Sequence, residues 1–263
     1  MLKLRSFSAI LLLLVSCDMV EYSPHQVFDR DSPKGINQEN IKRLNLTGQK
    51  DKISIVFIGD SQRFYEEIES FVKKVNELQG IDFVIIAGDI SDFGLLQELE
   101  WVHNRLKKLK VPYFTVVGNH DVTGNGEETF ERFYGAINYS FTYSGYKFIF
   151  HNTNSREYKT KNVPDLIWLA DELNDDSAEH FIGISHVAPY DGDFDKSKEI
   201  DYATLLASHN KFLLSLHGHQ HRHSDGFPYE DGVRYMVAHH FEAKAFVTLT
   251  FEDRNITKEI IHY

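Results

Sequence analysis

The chain has 263 residues, 42% of them apolar and 25% charged, with a net charge of −11. That length suffices for one large domain with a sizeable core, and the composition excludes collagen, coiled coil and large-scale disorder. The acidic balance argues against a sequence-independent grip on nucleic acid, and it slows an anionic substrate unless local cations reverse the field.

The first segment reads as targeting information. Lys3 and Arg5 precede an apolar run, 9–15, too short to span a bilayer in the ordinary way. The run ends in Leu14-Val15-Ser16-Cys17, which resembles a bacterial lipobox, where the chain is cut before the Cys and its thiol is lipidated. Residues 1–16 are therefore expected to be a lipoprotein signal peptide. Cys17 is expected to be the lipidation site, and 17–49 a lipidated tether and lead-in. A signal peptide with an incidental Cys is the alternative. Cys17 is the chain's single cysteine, so an exported form has no disulfide to make. Loss of Lys3 and Arg5 would lower the charge by two, to about −13. Residues 18–49 are polar and carry Pro24, Pro33, Gly35 and Gly48. They read as a tether followed by a lead-in on the domain edge. The expected location is the bacterial cell envelope, as an exported lipoprotein facing periplasm or surface.

The domain is expected over 50–263. Five short apolar runs, 53–58, 83–87, 113–117, 181–185 and 212–216, read as buried strands. Apolar residues at helical spacing predict helices over 64–78 and 95–109 between the first three strands. Strand–helix–strand order with short turns gives a largely parallel sheet with right-handed crossovers. Segments 137–143 and 147–151 flank Ser144-Gly145-Tyr146 as a hairpin. Segment 163–173 reads as a helix with Pro164 in its first turn and Trp168 on its apolar face. A helix near 199–207 and β-rich segments 233–238, 245–251 and 256–263 complete the chain. The expected class is α/β, with two sheets face to face, helices outside and no second domain.

Each of the five strands ends in metal-loving residues: Asp60-x-Gln62, Asp89, Asn119-His120-Asp121, His186 and His219-x-His221. In open α/β sheets ligands sit beyond the carboxyl ends of strands, so these groups are expected at one edge. Hard divalent ions want carboxylate and amide oxygen, and borderline ones accept imidazole; this set offers both. The glycines before the ligands let backbone approach ions without a Cβ clash. His217 reads as structural, or as a pocket-lining residue. His239-His240 lie at a strand end and could reach the site. Asp191, Asp193 and Asp195 lack the glycine and closing glutamate of an EF-hand and read as a solvated acidic loop. Tyr143, Tyr146, Tyr158 and Trp168 read as core or rim.

Taken together, Asp60-x-Gln62, Gly88-Asp89-x-x-Asp92, Gly118-Asn119-His120-Asp121, His186 and Gly218-His219-x-His221 resemble the calcineurin-like metallophosphoesterases, from residue 52 to the C-terminus. The resemblance implies a four-layer α/β/β/α sandwich with two mixed β-sheets. It also implies two divalent metal ions (Mn, Fe or Zn). Asp60 and His221 would bind the first, Asp89 would bridge, and Asn119, His186 and His219 would complete the second. A bridging hydroxide would attack phosphorus, and His120, oriented by Asp121, would protonate the leaving group. One position departs: Gln62 stands where the family usually has His. Its amide oxygen is a weaker donor, so either the first site is looser or Gln62 turns away and water replaces it. The activity implied is a phosphodiesterase or phosphomonoesterase acting on a phosphate-ester small molecule or a lipid head group, anchored to a membrane through lipid. A weakly active metal-binding lipoprotein is the alternative. Nuclease action is disfavoured by the acidity and by the lack of a basic stripe with interleaved aromatics.

Overall fold

The computed structural model describes residues 23–27, 29–158 and 162–263; the expected signal peptide 1–16 and lipidation site Cys17 lie outside them. In chain order the elements are α1 (Ile36–Asn45), β1 (Lys52–Ile58), α2 (Tyr65–Glu77), β2 (Phe83–Ile86), α3 (Leu96–Leu106), β3 (Tyr113–Thr115), α4 (Gly126–Phe133), β4 (Tyr139–Tyr143) and β5 (Tyr146–Phe150). There follow α5 (Leu166–Leu173), β6 (His180–Ile184), α6 (Glu199–Ala207), β7 (Phe212–His217), β8 (Ser224–Gly226), β9 (Arg234–Val237), β10 (Ala245–Glu252) and β11 (Asn255–His262).

The strands form two mixed sheets, one ordered β11-β10-β1-β2-β3 and the other β4-β5-β6-β7-β9-β8. In the first, β1, β2 and β3 run parallel, with β10 and β11 antiparallel at the far edge. In the second, β5, β6, β7 and β9 run parallel and β4 and β8 are antiparallel edges.

β1 explains why its sequence is continuously apolar from Ile55 to Ile58. Ile53, Ile55 and Phe57 point into the layer between the sheets, while Val56 and Ile58 point outward beneath the helices. A strand covered on both faces has no side to leave polar. Three apolar layers result. One lies under α2, α3 and α4, one lies between the sheets, and one lies under α5 and α6. The layer between the sheets is aromatic: Phe83 meets Phe114 and Phe148 edge-on at 5.4 and 5.1 Å between ring centres. The resulting order is helices, sheet, sheet, helices, as the sequence implied.

Three local readings change. The lead-in contains a helix, α1, that packs along the edge strand β3: its Asn37 side chain pairs with both backbone groups of Thr115 at 3.2 Å, and its Leu44 is fully buried between the sheets. Helix α4 went unread because its short apolar face follows Gly124 and Gly126 directly. Pro164 stands before α5 rather than in its first turn. Asp165 caps that helix, its carboxylate accepting from Ile167 N and Trp168 N at 3.1 Å. Among the described residues, no helix is long and apolar enough to cross a membrane.

Candidate metal centre

The parallel strands of both sheets finish at one edge. There Gly59, just past β1, bridges His240, just past β9, and Gly59 N donates to His239 O at 3.0 Å. The loops beyond this seam carry the metal-loving residues.

The backbone that presents them is unusual. Asp60, Gln62, Asp89, His219 and His221 have φ of 55°, 33°, 52°, 71° and 51°. Side-chain-bearing residues seldom adopt this left-handed region, at a cost on the order of 1–3 kcal/mol each, and such strain collects at functional sites. The neighbouring glycines make room. A Cβ at Gly118 would lie 2.2 Å from Asp89 Oδ1, and one at Gly218 would lie 2.4 Å from Ala87 O and 3.0 Å from Asp60 Oδ2.

Hydrogen bonding settles the tautomer of His186. Its Nδ1 is 2.6 Å from Ala87 O. A carbonyl only accepts, so Nδ1–H donates and Nε2 carries a lone pair. That Nε2 lies 3.3 Å from Asp89 Oδ2 and 3.0 Å from Asn119 Oδ1. Three electron-rich atoms converging in a buried place require a cation between them. Without a metal the proton serves. Burial opposes charging His186, but the Asp89 and Asp60 carboxylates override it and hold the imidazole up at about 10. Burial likewise works against ionising Asp89, and His186 pulls its carboxyl below the usual range.

His219 Nδ1 lies 3.0 Å from the same Asn119 Oδ1, and its backbone N donates to Asp60 Oδ1 at 3.1 Å. His221 Nε2 is 3.3 Å from Asp60 Oδ1, and that contact raises its pKa. Asp60 Oδ2 is buried with no hydrogen-bond partner among the described residues. Two groups emerge whose ligand atoms all lie within 4.8 Å of one another: Asp89, His186 and His219, and Asp60, Asp89 and His221. Asp89 belongs to both. Carboxylates, an amide and imidazole lone pairs form a donor set suited to divalent ions of borderline hardness, and the orphaned Asp60 oxygen fits the same need. Gln62 is buried beside them, with its backbone N on Asp89 O at 3.0 Å and its side-chain amide bonded to no described residue.

His120 sits at the rim. Its backbone N donates to Asp89 Oδ1 at 3.0 Å and its Nδ1 lies 2.9 Å from Asp92 O. Nδ1–H is again the donor, which leaves Nε2 as the nitrogen able to exchange a proton outward. The expected role of Asp121 as the group holding this ring needs correction. The buried Asp121 carboxylate accepts from Gly118 N, Ser91 N and Ser91 Oγ at 2.8 Å and from Ile90 N at 3.2 Å. It ties the loops after β2 and β3 together, while the ring is held by the Asp92 carbonyl. Burial, and then the Asp89 charge, push Asp121 up to about 6 against those donors.

Three residues that the motifs did not assign to the centre border it. Asp193 Oδ2 and Asp191 Oδ1 face His219 Nε2 at 3.4 and 3.8 Å, so this part of the acidic loop is folded against the site. His240 stacks on His221 at 5.0 Å with planes 13° apart. The strand-end position of His240 hinted at its contact; the contacts of Asp191 and Asp193 arise only where two loops meet. Asp195 stays apart, closing its own turn on Ser197. His217 is structural: it is fully buried, lies between Ser185 Oγ and Ser215 Oγ at 3.0 and 2.9 Å, and is pushed down to about 3 by burial. Tyr143, Tyr146 and Tyr158 are buried and Trp168 half-buried.

With this geometry in hand, the chain can be set beside known proteins. A family model described as calcineurin-like phosphoesterase matches residues 53–223. A protein named probable cyclic nucleotide phosphodiesterase from Xenorhabdus bovienii is 28% identical over 90 residues, which cover 34% of this chain and 36% of that one. A protein of the same name from Moraxella catarrhalis is 40% identical over 42 residues, covering 16% of this chain and 15% of that one. The matched stretch thus spans about a third or less of either relative. Among solved structures, a dimetal phosphatase from Danio rerio aligns with TM-score 0.58 at 14% identity, over 80% of this chain and 99% of that one. A purple acid phosphatase from yellow lupin aligns with TM-score 0.59 at 16% identity, over 82% and 52%. GAP50, described as the anchor in the inner membrane complex of Plasmodium, aligns with TM-score 0.61 at 16% identity, over 81% and 85%. At such identities the likeness is one of fold. The family match covers most of the chain, the motif residues within it are the ones the fold gathers at one edge, and the chain belongs to the calcineurin-like phosphoesterases.

Proposed function

We propose that this protein is a dinuclear-metal phosphodiesterase, held in the bacterial cell envelope by a lipid on Cys17. The observation that carries the dinuclear reading is the sharing of Asp89 between two ligand groups. Asp60, His221 and, as a weak amide ligand, Gln62 would hold the first ion. Asn119, His186 and His219 would hold the second. When bound, two divalent ions supply Lewis-acid charge and a nucleophile drawn from water at neutral pH.

The chain's own residues do the rest. His120 Nε2, protonated, delivers its proton to the leaving oxygen, a contribution of about 10²–10⁴-fold. The Asp92 carbonyl keeps that ring in register, and the Asp121 carboxylate keeps Asn119 and Asp89 on adjoining loops. Asp191 and Asp193 at the rim disfavour a doubly charged monoester and are gentler to a singly charged diester. The names of the two matched relatives make cyclic nucleotides the first diesters to try.

The test is hydrolysis of a cyclic nucleotide, bis-p-nitrophenyl phosphate and p-nitrophenyl phosphate with added Mn²⁺. Turnover should favour the diesters and vanish with chelator. Hydrolysis that survives chelation, or purified protein that takes up no metal, ends the proposal. Metal uptake without turnover on any ester favours the second reading, a metal-binding lipoprotein, to which Gln62 lends its weaker donor. The anchor is tested by Cys17→Ala, which should free the protein from membranes; continued sedimentation with them defeats it.

A further inference from the structure

His219 uses its two ring nitrogens in different directions. Nδ1 faces the proposed second ion position, 3.0 Å from Asn119 Oδ1. Nε2 faces outward to Asp193 Oδ2 at 3.4 Å and Asp191 Oδ1 at 3.8 Å. Both carboxylates are themselves held. Asp191 Oδ1 accepts from Asp193 N at 3.0 Å, and its Oδ2 accepts from Gln220 Nε2 at 2.9 Å. Asp193 Oδ1 takes Arg156 Nη1 at 2.6 Å, which leaves Oδ2 for the histidine. Asn119 Oδ1 also only accepts, but ionised carboxylates are the stronger acceptors, so a ring with one proton carries it on Nε2. A neutral imidazole protonated there has its lone pair on Nδ1, the nitrogen aimed at Asn119 and the ion position.

We propose that Asp193, braced by Arg156, is the positioning residue of the second metal position, fixing the tautomer and orientation of His219 from outside. This rests on the dinuclear reading above. The arrangement matches the general way a ligating histidine is tuned, its far N–H given to a carboxylate, with about 10–100-fold of metal affinity at stake. Asp193 is the principal partner because it lies nearer to Nε2 and has an oxygen to spare, whereas both oxygens of Asp191 already accept, one from Asp193 N and one from Gln220 on the neighbouring loop. His219 also gains from such a brace: its backbone is left-handed, at φ 71°, and Asp193 holds the edge of the ring that Asn119 and the His186 ring do not reach. Asp191, Asp193 and His219 also lie within 4.8 Å of one another, so a third cation among them is the rival reading.

Two measurements on the full chain decide. In ¹⁵N-histidine NMR of metal-free protein, His219 should show the Nε2–H tautomer, and Asp193→Asn should shift it to a mixture. In Mn²⁺ titration of wild type and Asp193→Asn, the variant should weaken one equivalent by about 10–100-fold and leave the other unchanged. Asp193→Glu should restore much of the loss, and Arg156→Gln should show a smaller loss of the same equivalent. An unchanged tautomer in Asp193→Asn, or two unchanged equivalents, overturns the proposal. So does a third wild-type equivalent that only the variant lacks. A wild type that binds no Mn²⁺ defeats the dinuclear reading instead, and the NMR arm still reports whether Asp193 holds the ring.

Discussion

The two halves of the proposed centre are built differently. On the second-metal side His186 is wholly buried, its ring locked by the Ala87 carbonyl, and His219 is clasped between Asn119 and the Asp191–Asp193 loop. On the first-metal side the His221 side chain is 41% exposed, its face covered by the stacked His240, and the remaining ligand candidate is an amide, Gln62. Burial strengthens each charge–charge interaction and fixes geometry in advance. The second position should therefore hold its ion tightly and the first should exchange it, with Asp89 the hinge between them.

The contrast breaks completely if its shared member is removed. Asp89→Asn should abolish uptake at both positions and lower turnover by about 10³-fold or more, since several kcal/mol of charge stabilisation go with the ions. If metal analysis shows one position still filled, Asp89 is not shared. His120→Ala probes the rim alone. It should retain full metal content and lose about 10²–10⁴-fold on substrates with poor leaving groups, with less loss on p-nitrophenyl esters. Equal losses on good and poor leaving groups would assign His120 some other task.

Stability against pH sharpens the same comparison. In metal-free protein His186 is held up at about 10 from an ordinary 6.5. Its contribution to stability is whole below about 6.5 and disappears as pH rises through about 10. Bound metal takes the proton's place, so the loaded protein should keep its melting temperature over that window while the metal-free protein declines. The buried His151 and His217 are pushed down by burial to about 4 and about 3. They give the opposite sign: their contribution is present above 6.5 and is lost as pH falls through those values, with or without metal. A metal-free melting profile flat between 6.5 and 10 would contradict the cation-requiring geometry around His186. The smallest effect is expected at the open side, where Gln62→His should tighten the weaker Mn²⁺ equivalent by about tenfold. Equal affinity would show that position 62 does not ligate.

Away from the centre, stability resides in the aromatic layer between the sheets. Phe148→Ala should cost about 3–5 kcal/mol in denaturant unfolding without altering metal stoichiometry, which separates scaffold from site.

The site was legible to the extent that ligands follow strands. A short run rich in Val, Ile and Phe, such as 53–58 or 83–87, reads as a strand buried on both faces, and a strand's end places the next residues at a sheet edge; Asp60, Asp89, Asn119, His186, His219 and His221 could be named on that ground. The left-handed backbone at four of these positions, and at Gln62, could not. It reflects the crowding of loops from two sheets around one point, and the flanking glycines hinted at it without specifying which residues would be strained. Helices α1 and α4 escaped because their apolar faces are short and bounded by glycine, so local periodicity was too weak to outweigh the flanking signals.

By itself, then, the order of residues determined which side chains stand at the ends of strands and what chemistry they offer, because strand periodicity and ligand preference are local properties. Only the tertiary structure decided which nitrogen of each imidazole faces inward, that Asp121 ties two loops instead of holding His120, and that Asp193 reaches His219. Those outcomes depend on hydrogen-bond partners brought together from distant segments, and a hydrogen bond's donor and acceptor are set by who arrives, not by who is adjacent in the chain.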